Sequence, residues 1–464
     1  VSDLGTPENP LRVAVIGAGP SGFYAAEHLL KQKDKTIYVD MFDRLPTPFG
    51  LVRGGVAPDH QKIKSVTKVY DRIAAKDEFR FFGYVEFGTD ITLDDLKTYY
   101  HQAIFTTGAQ TDKKLDIPNI DHPNSRAATE FVAWYNGHPD YRDYTFDLSQ
   151  EKVAVIGVGN VAVDVARILS RSADELAKTD IADYALEQLA ESKVKEVYLL
   201  GRRGPAQAAF TTPEIRELGE LEDADCIVLP DEGKLDALSQ EDLDASTDRA
   251  LKKKVDIIQS YATGDMGSKS KKLYVRFLVS PTELIVEDGA LKGMTLVHNE
   301  LYRTERGGVR PRATDKTERL DCGLVFRSIG YRGVPLAGIP FREDWGVINN
   351  DQGRITDVDS QDQVVGLYTA GWIKRGPSGV IGTNKPDSVE TVNLMLEDAT
   401  AGVTWEPSQP DRDALREFVS SKKPNYVSYD DWLKLDALEV ERGEALGRPR
   451  LKFTVINDML DVLK

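Results

Sequence analysis

Val13-Ala14-Val15-Ile16-Gly17-Ala18-Gly19-Pro20-Ser21-Gly22 is an apolar strand that runs directly into G-x-G-x-x-G. Val153-Ala154-Val155-Ile156-Gly157-Val158-Gly159-Asn160-Val161-Ala162 repeats the pattern, with alanine in the last place. A glycine triplet alone marks many ordinary turns. Here each copy follows a four-residue apolar strand and opens an amphipathic helix, the context a dinucleotide site requires. Gly17 and Gly157 permit the tight turn, while Gly19 and Gly159 let backbone approach a pyrophosphate beside a positive helix N-terminus. Two copies predict an α/β protein with two Rossmann-like dinucleotide-binding domains.

The residues after the fingerprints ask for different ligands. The strand at 37–42 ends in Asp43, whose carboxylate can accept hydrogen bonds from ribose hydroxyls. The strand at 197–200 ends in Gly201-Arg202-Arg203, and an arginine pair there neutralises a 2′-phosphate. The first site reads as FAD or NAD and the second as NADP. A chain holding both is most simply a flavoenzyme exchanging hydride with NADPH. The second acceptor strand begins roughly twice as far from its glycines as the usual spacing of about 20 residues. The polar, helix-patterned stretch 172–192 reads as an insertion that accounts for the excess.

Composition narrows the class. At 464 residues the chain has room for two or three domains. No run approaches the roughly 18 apolar residues of a membrane span, and no charged-then-apolar leader precedes the first strand. The expected setting is the cytoplasm, or the mitochondrial matrix if a targeting peptide has been removed ahead of Val1. A net charge of −16 argues against nucleic acid as a partner. Cys226 and Cys322 are the only cysteines, so the chain offers neither a C-x-x-C redox pair nor a four-cysteine iron–sulfur site.

The order of elements predicts one nucleotide domain inserted into the other: 1–108 as the first part of the FAD domain, 109–325 as the NADP domain, and 326–464 as the second part of the FAD domain. Residues 79–87 read as a strand and 92–102 as an amphipathic stretch. Ala103-Ile104-Phe105-Thr106-Thr107-Gly108-Ala109 follows as a strand closing on small residues. The acidic segment 223–254 reads as surface loops and helices, 273–286 as strands, and 293–302 as their partner. The charged, helix-patterned stretch 411–464 reads as a packing appendage or a surface helix pair.

Longer strings carry a family resemblance. Pro48-Phe49-Gly50-Leu51-Val52-Arg53 and Gly55-Val56-Ala57-Pro58-Asp59-His60 resemble the adrenodoxin reductase family of NADPH–ferredoxin reductases. So do the strings 159–167, 201–205, 209–216 and 371–383, the last being Gly-Trp-Ile-Lys-Arg-Gly-Pro-Ser-Gly-Val-Ile-Gly-Thr. The likeness extends to about residue 400 and is closest to bacterial members. It implies that FAD is contacted by Gly17, Gly19, Ser21, Gly22, Asp43, Leu51, Phe87, Trp372, Gly379, Val380 and Ile381, with Gly379 also touching NADP. It places Val158, Gly159, Asn160 and Val161 at the NADP pyrophosphate, and Arg202 and Arg203 on the 2′-phosphate. Lys113 falls near the nucleotide and Glu214 near the nicotinamide. The family usually has glutamate where Asp43 stands, and the shorter acid is expected to reach the ribose.

His60 and Glu214 lie close together beside the flavin and nicotinamide in relatives, which implies a proton-handling role for them. A histidine pKa near neutrality suits that role. Hydride transfer itself needs no side-chain acid or base, so positioning of the two rings is the larger contribution.

The activity implied is that of an FAD-dependent ferredoxin–NADP(+) reductase. Electrons pass from NADPH to an external ferredoxin-type iron–sulfur protein and on to an acceptor such as a cytochrome P450. Arg53, Lys62, Lys64, Lys68, Arg216, Lys374 and Arg375 are candidate contacts for an acidic ferredoxin. The alternatives are another NADPH-dependent flavin oxidoreductase and a flavin-binding regulatory protein without turnover. A disulfide reductase would need a C-x-x-C that is absent here, and the intact Arg202-Arg203 pair speaks against loss of turnover.

Overall fold

The computed structural model describes residues 3–464, and the chain divides into two compact units. One holds Val1–Val56, His60–Thr111 and Tyr331–Lys464, and the other Ala57–Asp59 with Asp112–Gly330. The second unit therefore interrupts the first in sequence. Its observed limits differ from 109–325 at both ends. Sequence reading also misses the detached Ala57–Asp59. That tripeptide is held by charge: the buried Arg167 guanidinium donates to both Asp59 carboxylate oxygens at 2.7 and 2.9 Å. Arg171 adds a third bond of 2.9 Å.

The first unit is built on a seven-stranded sheet. Its order is Asn350–Asp351, Arg354–Thr356, Gln363–Thr369, Gln102–Phe105, Leu11–Ile16, Ile37–Asp43 and Phe79–Gly83. The last five strands are parallel. Leu11–Ile16 is buried at every position except Arg12, as expected of a parallel strand covered on both faces. It also lies between strands that come later in the chain on either side, so the crevice outside its carboxyl end is a topological switch point.

Two sequence expectations fail in this unit. The strand expected over 79–87 stops at Gly83, because Tyr84 turns the backbone left-handed at φ 62°. Nor is 411–464 an appendage. Trp432, Leu435, Phe453 and Met459 pack into the same core as Phe23, Phe49 and Tyr70. Arg53 donates to both oxygens of the fully buried Glu439.

The second unit carries a six-stranded sheet in the order Ser125–Ala127, Leu324–Arg327, Lys152–Ile156, Glu196–Leu200, Lys271–Arg276 and Ala224–Val228. Every pairing in it is parallel. Helices cover one face. On the other face lies an antiparallel sheet of Val279–Glu287, Ala290–Arg303 and Val309–Asp321, packed through Ile156, Leu200, Leu284, Met294 and Leu296.

The expected strands at 273–286 divide between these two sheets at Leu278, whose φ is +56°. The segment 223–254 is not only surface. It supplies the edge strand Ala224–Val228, whose apolar side chains are hidden from a composition reading by the acids Glu222, Asp223 and Asp225. The insertion at 172–192 forms the helices Ala173–Leu176 and Asp183–Ala190, with Leu176, Ala185 and Leu189 in the core.

Candidate functional site

In the first unit the fingerprint residues gather at the carboxyl ends of the parallel strands. Gly17 has a φ of +108°, and a Cβ there would lie 2.8 Å from the Thr106 carbonyl oxygen. A Cβ on Gly22 would collide with the Gly17 carbonyl oxygen, so helix Pro20–Leu29 can pack this closely only on glycine. Gly19, the helix N-cap, is open on its outer side: the nearest atom to an added Cβ is the Gly50 Cα at 4.0 Å. The Phe49 N–H donates to the Ala18 carbonyl at 2.8 Å, which lays the Pro48-Phe49-Gly50 string along this loop.

Asp43 closes the same crevice. Its carboxylate accepts from the Ala18 N–H and from the Leu45 N–H, both at 2.9 Å. Desolvation raises its pKa above the ordinary aspartate value, opposed by those two bonds. Both oxygens keep lone pairs for further donors.

The second wall comes from the loop after Gln363–Thr369. Gly371 has a φ of +82° and sits so close to Ser21 that a Cβ would strike the Ser21 Oγ. The Ser388 hydroxyl donates to the Ser21 carbonyl at 3.0 Å. The Trp372 indole N–H donates to the Ser378 carbonyl at 3.1 Å, and its ring lies 6.0 Å from that of Tyr331. Val380 is 50% exposed and Leu51 is 44% exposed, while Ile381 is half-buried. Apolar side chains left uncovered beside glycine backbone are what a planar, largely apolar ring system needs. Phe87 is half-buried and packs edge-on against Phe105. These residues fit FAD.

In the second unit Gly157, at φ +133°, leaves no room for a Cβ beside the Ser328 carbonyl. Gly159 caps helix Asn160–Ser170, and a Cβ there would meet nothing within 4 Å. That open space at a helix N-terminus fits an approaching pyrophosphate. The segment after Arg203 doubles back over the fingerprint. The Ala209 and Phe210 N–H groups both donate to the Val158 carbonyl at 2.9 Å, and the Thr211 N–H donates to Asn160 Oδ1 at 2.9 Å. Val161 is half-buried against the core.

Arg202 and Arg203 stand at the carboxyl end of strand Glu196–Leu200, with Arg202 exposed and Arg203 half-buried. Burial and the charges of Arg202 and Arg310 lower the Arg203 pKa below the ordinary arginine value. Like charges concentrated in this way favour an anion. Lys113 is exposed, and its N–H donates to the Gly330 carbonyl at 2.9 Å.

The two residues expected to handle protons divide between the units. His60 lies in the first, ahead of the short helix Gln61–Lys64, and Glu214 lies in the second, in the first turn of helix Thr212–Gly219. Three of the expected docking cations are instead structural. Lys374 is 8% exposed and pairs with Glu390 at 2.6 Å and Asp387 at 3.1 Å. Arg53 is spent on Glu439. Arg375 donates to the Ser378 carbonyl at 2.7 Å and to Asn384 Oδ1 at 2.8 Å. Sequence reading also misses Asp387, which accepts from the Gly371 N–H. It stands in the first turn of helix Asn384–Ala401, where the helix dipole favours an acid.

Residues 11–214 match the family model described as pyridine nucleotide-disulphide oxidoreductase. The chain is 42% identical over 461 residues to NADPH-ferredoxin reductase FprA of Mycobacterium tuberculosis, covering 98% of this chain and 99% of the relative. It is 38% identical to the mitochondrial NADPH:adrenodoxin oxidoreductase of Arabidopsis thaliana, covering 97% and 95% of the two. The solved structure of Mycobacterium tuberculosis FprA in complex with NADPH superposes with a TM-score of 0.91 at 42% identity, covering 98% of this chain and all of that one.

Proposed function

The chain belongs to the NADPH–ferredoxin reductase family of the adrenodoxin reductase type, and from that premise we propose how its own residues divide the work. It is an FAD-dependent ferredoxin–NADP(+) reductase that uses NADP(H). When bound, FAD supplies the chemistry, accepting two electrons as hydride and releasing them one at a time. We assign its pyrophosphate to Gly19 and the N-terminus of helix Pro20–Leu29, and its ribose to Asp43. The apolar edge of Leu51, Trp372, Val380 and Ile381 orients the ring and keeps water from it.

On the nucleotide side, Gly159 and Asn160 hold the pyrophosphate and Arg202 with Arg203 hold the 2′-phosphate. Lys113 and Glu214 lie toward the nucleotide's other parts. His60 and Glu214 carry any proton that accompanies turnover. The acceptor is a ferredoxin-type iron–sulfur protein, since this chain has no cysteine set to hold such a cluster itself. The setting is the cytoplasm.

The observation that carries this reading is the contrast between the acid after the first fingerprint and the arginine pair after the second. Anaerobic addition of NADPH to the yellow protein tests it. Bleaching of the flavin band, followed by recovery when oxidised ferredoxin is added, is the expected result. A flavin band unmoved by NADPH would leave a binding protein rather than an enzyme.

A further inference from the structure

The arginine pair is not held by its own side chains. Arg202 is exposed, and among the described residues the guanidinium of Arg203 makes one hydrogen bond, of 3.4 Å, to the Gln207 carbonyl. The turn is fixed through its main chain instead. The Gly201 N–H donates to the Arg276 carbonyl at 2.9 Å, and the Gly201 carbonyl accepts from the Val279 N–H at 3.0 Å. The Arg203 carbonyl accepts from the Leu278 N–H at 3.1 Å. The remaining carbonyl, that of Arg202, is taken by a side chain: Asn299 Nδ2 donates to it at 2.9 Å.

Two backbone irregularities bring these donors together. Leu278 adopts a φ of +56°, a conformation a leucine rarely takes, where the chain leaves the parallel sheet for the antiparallel one. The pairing of Ala290–Arg303 with Val309–Asp321 shifts register between Val297 and Asn299. A bulge of this kind re-aims a side chain. Asn299 is 9% exposed; its N–H donates to the Leu278 carbonyl at 2.7 Å, and its Nδ2 also donates to Ser280 Oγ at 2.8 Å. One amide nitrogen with two hydrogens meets both acceptors, which a carboxylate or an apolar side chain of the same size cannot do.

We propose that Asn299 is a positioning residue for nucleotide selectivity, setting through the Arg202 carbonyl the turn that presents Arg202 and Arg203 to a 2′-phosphate. The proposal rests on the assignment of those two arginines. NADH lacks the 2′-phosphate, so a loosened turn costs binding of NADPH and leaves the pyrophosphate grip around Gly159 intact. A merely structural asparagine would affect both nucleotides alike.

The test is steady-state kcat/KM for NADPH and for NADH, with ferricyanide as acceptor, in the FAD-loaded enzyme. Wild type is compared with Asn299→Ala, Asn299→Asp and Arg202→Ala/Arg203→Ala. For Asn299→Ala, kcat/KM with NADPH should fall about five- to tenfold, the loss of one buried hydrogen bond, with NADH changed less than about twofold. Asn299→Asp should lose at least as much, because it removes the donor and adds a negative charge; having nearly the same volume, it carries the test if the alanine variant fails to fold. Equal losses with both nucleotides overturn the proposal. So does an unchanged NADPH-to-NADH ratio in both Asn299 variants while the double arginine variant loses its preference. If the double arginine variant itself keeps the wild-type ratio, the arginine assignment is what fails.

Discussion

The two fingerprints share a strand, a glycine turn and a helix, yet they hold their discriminating residues by opposite means. In the first unit Asp43 is tied by its side chain, which accepts from Ala18 and Leu45. On the proposed assignment, its ligand-reading group and its anchor are the same carboxylate. In the second unit, among the described residues, neither arginine side chain pairs with an acid, and the main chain beneath them carries the ties. A carboxylate can accept several bonds and still accept another. A guanidinium committed to a protein acid is neutralised and no longer attracts phosphate. An anion site at this pair, as proposed, needs outside scaffolding, and Asn299 and Val279 of the antiparallel sheet supply part of it.

The strongest way to break this comparison is to damage each glycine turn in turn. Gly17→Ala sets a Cβ 2.8 Å from the Thr106 carbonyl at φ +108°, with a strain of roughly 1–3 kcal/mol before the clash is counted. The purified protein should be colourless and inactive. Gly157→Ala meets the Ser328 carbonyl at φ +133° and should stay yellow while losing NADPH binding. Absorbance and nucleotide titration read both. A colourless Gly157→Ala protein would mean that the two units do not bind their nucleotides independently.

Arg202→Ala/Arg203→Ala should lower kcat/KM for NADPH about a hundredfold or more, since charge-assisted bonds contribute roughly 1.5–3 kcal/mol each. NADH should be almost unaffected. Asp43→Ala is the matched control, expected to reduce FAD retention without altering the preference for NADPH. Loss of preference in the Asp43 variant would undo the division of labour.

A third contrast lies in buried ion pairs, Arg53 with Glu439 in the first unit and Arg167 with Asp59 in the second. Burial alone would raise the Glu439 pKa, but the charges of Arg53 and Arg450 and the Phe453 N–H outweigh it and hold it below the ordinary glutamate value. The unfolded carboxyl titrates near about 4.3. The stabilisation is thus complete above that pH and is lost as pH falls through the lower folded value. Glu439→Gln should destabilise the protein by roughly 3 kcal/mol at neutral pH. Its thermal melts should converge on those of wild type as the solution is acidified. A constant gap across the range would show that the charge is not what Glu439 contributes.

The smallest effects concern docking. Lys62 and Lys68 in the first unit and Arg216 in the second are exposed. Each reversed to glutamate should raise the KM for ferredoxin a few-fold at low salt, with NADPH kinetics unchanged. The effect should shrink as the screening length falls to about 8 Å at physiological ionic strength. Whichever unit's variants respond locates the docking face.

Much of this was legible because fingerprints are local. Strand, glycine turn and following residue stand together in sequence, and the Asp43 and Arg202-Arg203 contrast needs no tertiary knowledge. What escaped depends on pairing at a distance. Lys374 and Arg53 look like surface cations until their partners Glu390 and Glu439 are known. The C-terminal helices look like an appendage because Trp432 and Leu435 are spaced among charges. The proposed role of Asn299 is invisible in sequence, since it arises from a bulge in one strand and a left-handed leucine in the link between two others.

The short visit of Ala57–Asp59 to the second unit bears on modularity. A gene segment encoding 112–330 looks like a self-contained cassette with two clean joins. Moved into another protein, it would leave the enclosed Arg167 guanidinium with Asp164, at 2.8 Å, but without the Asp59 carboxylate that grips it at two further points. The portable module is therefore a discontinuous one, with three residues encoded upstream of its own start. A shuffled or grafted version that brings the tripeptide along keeps both of those bonds.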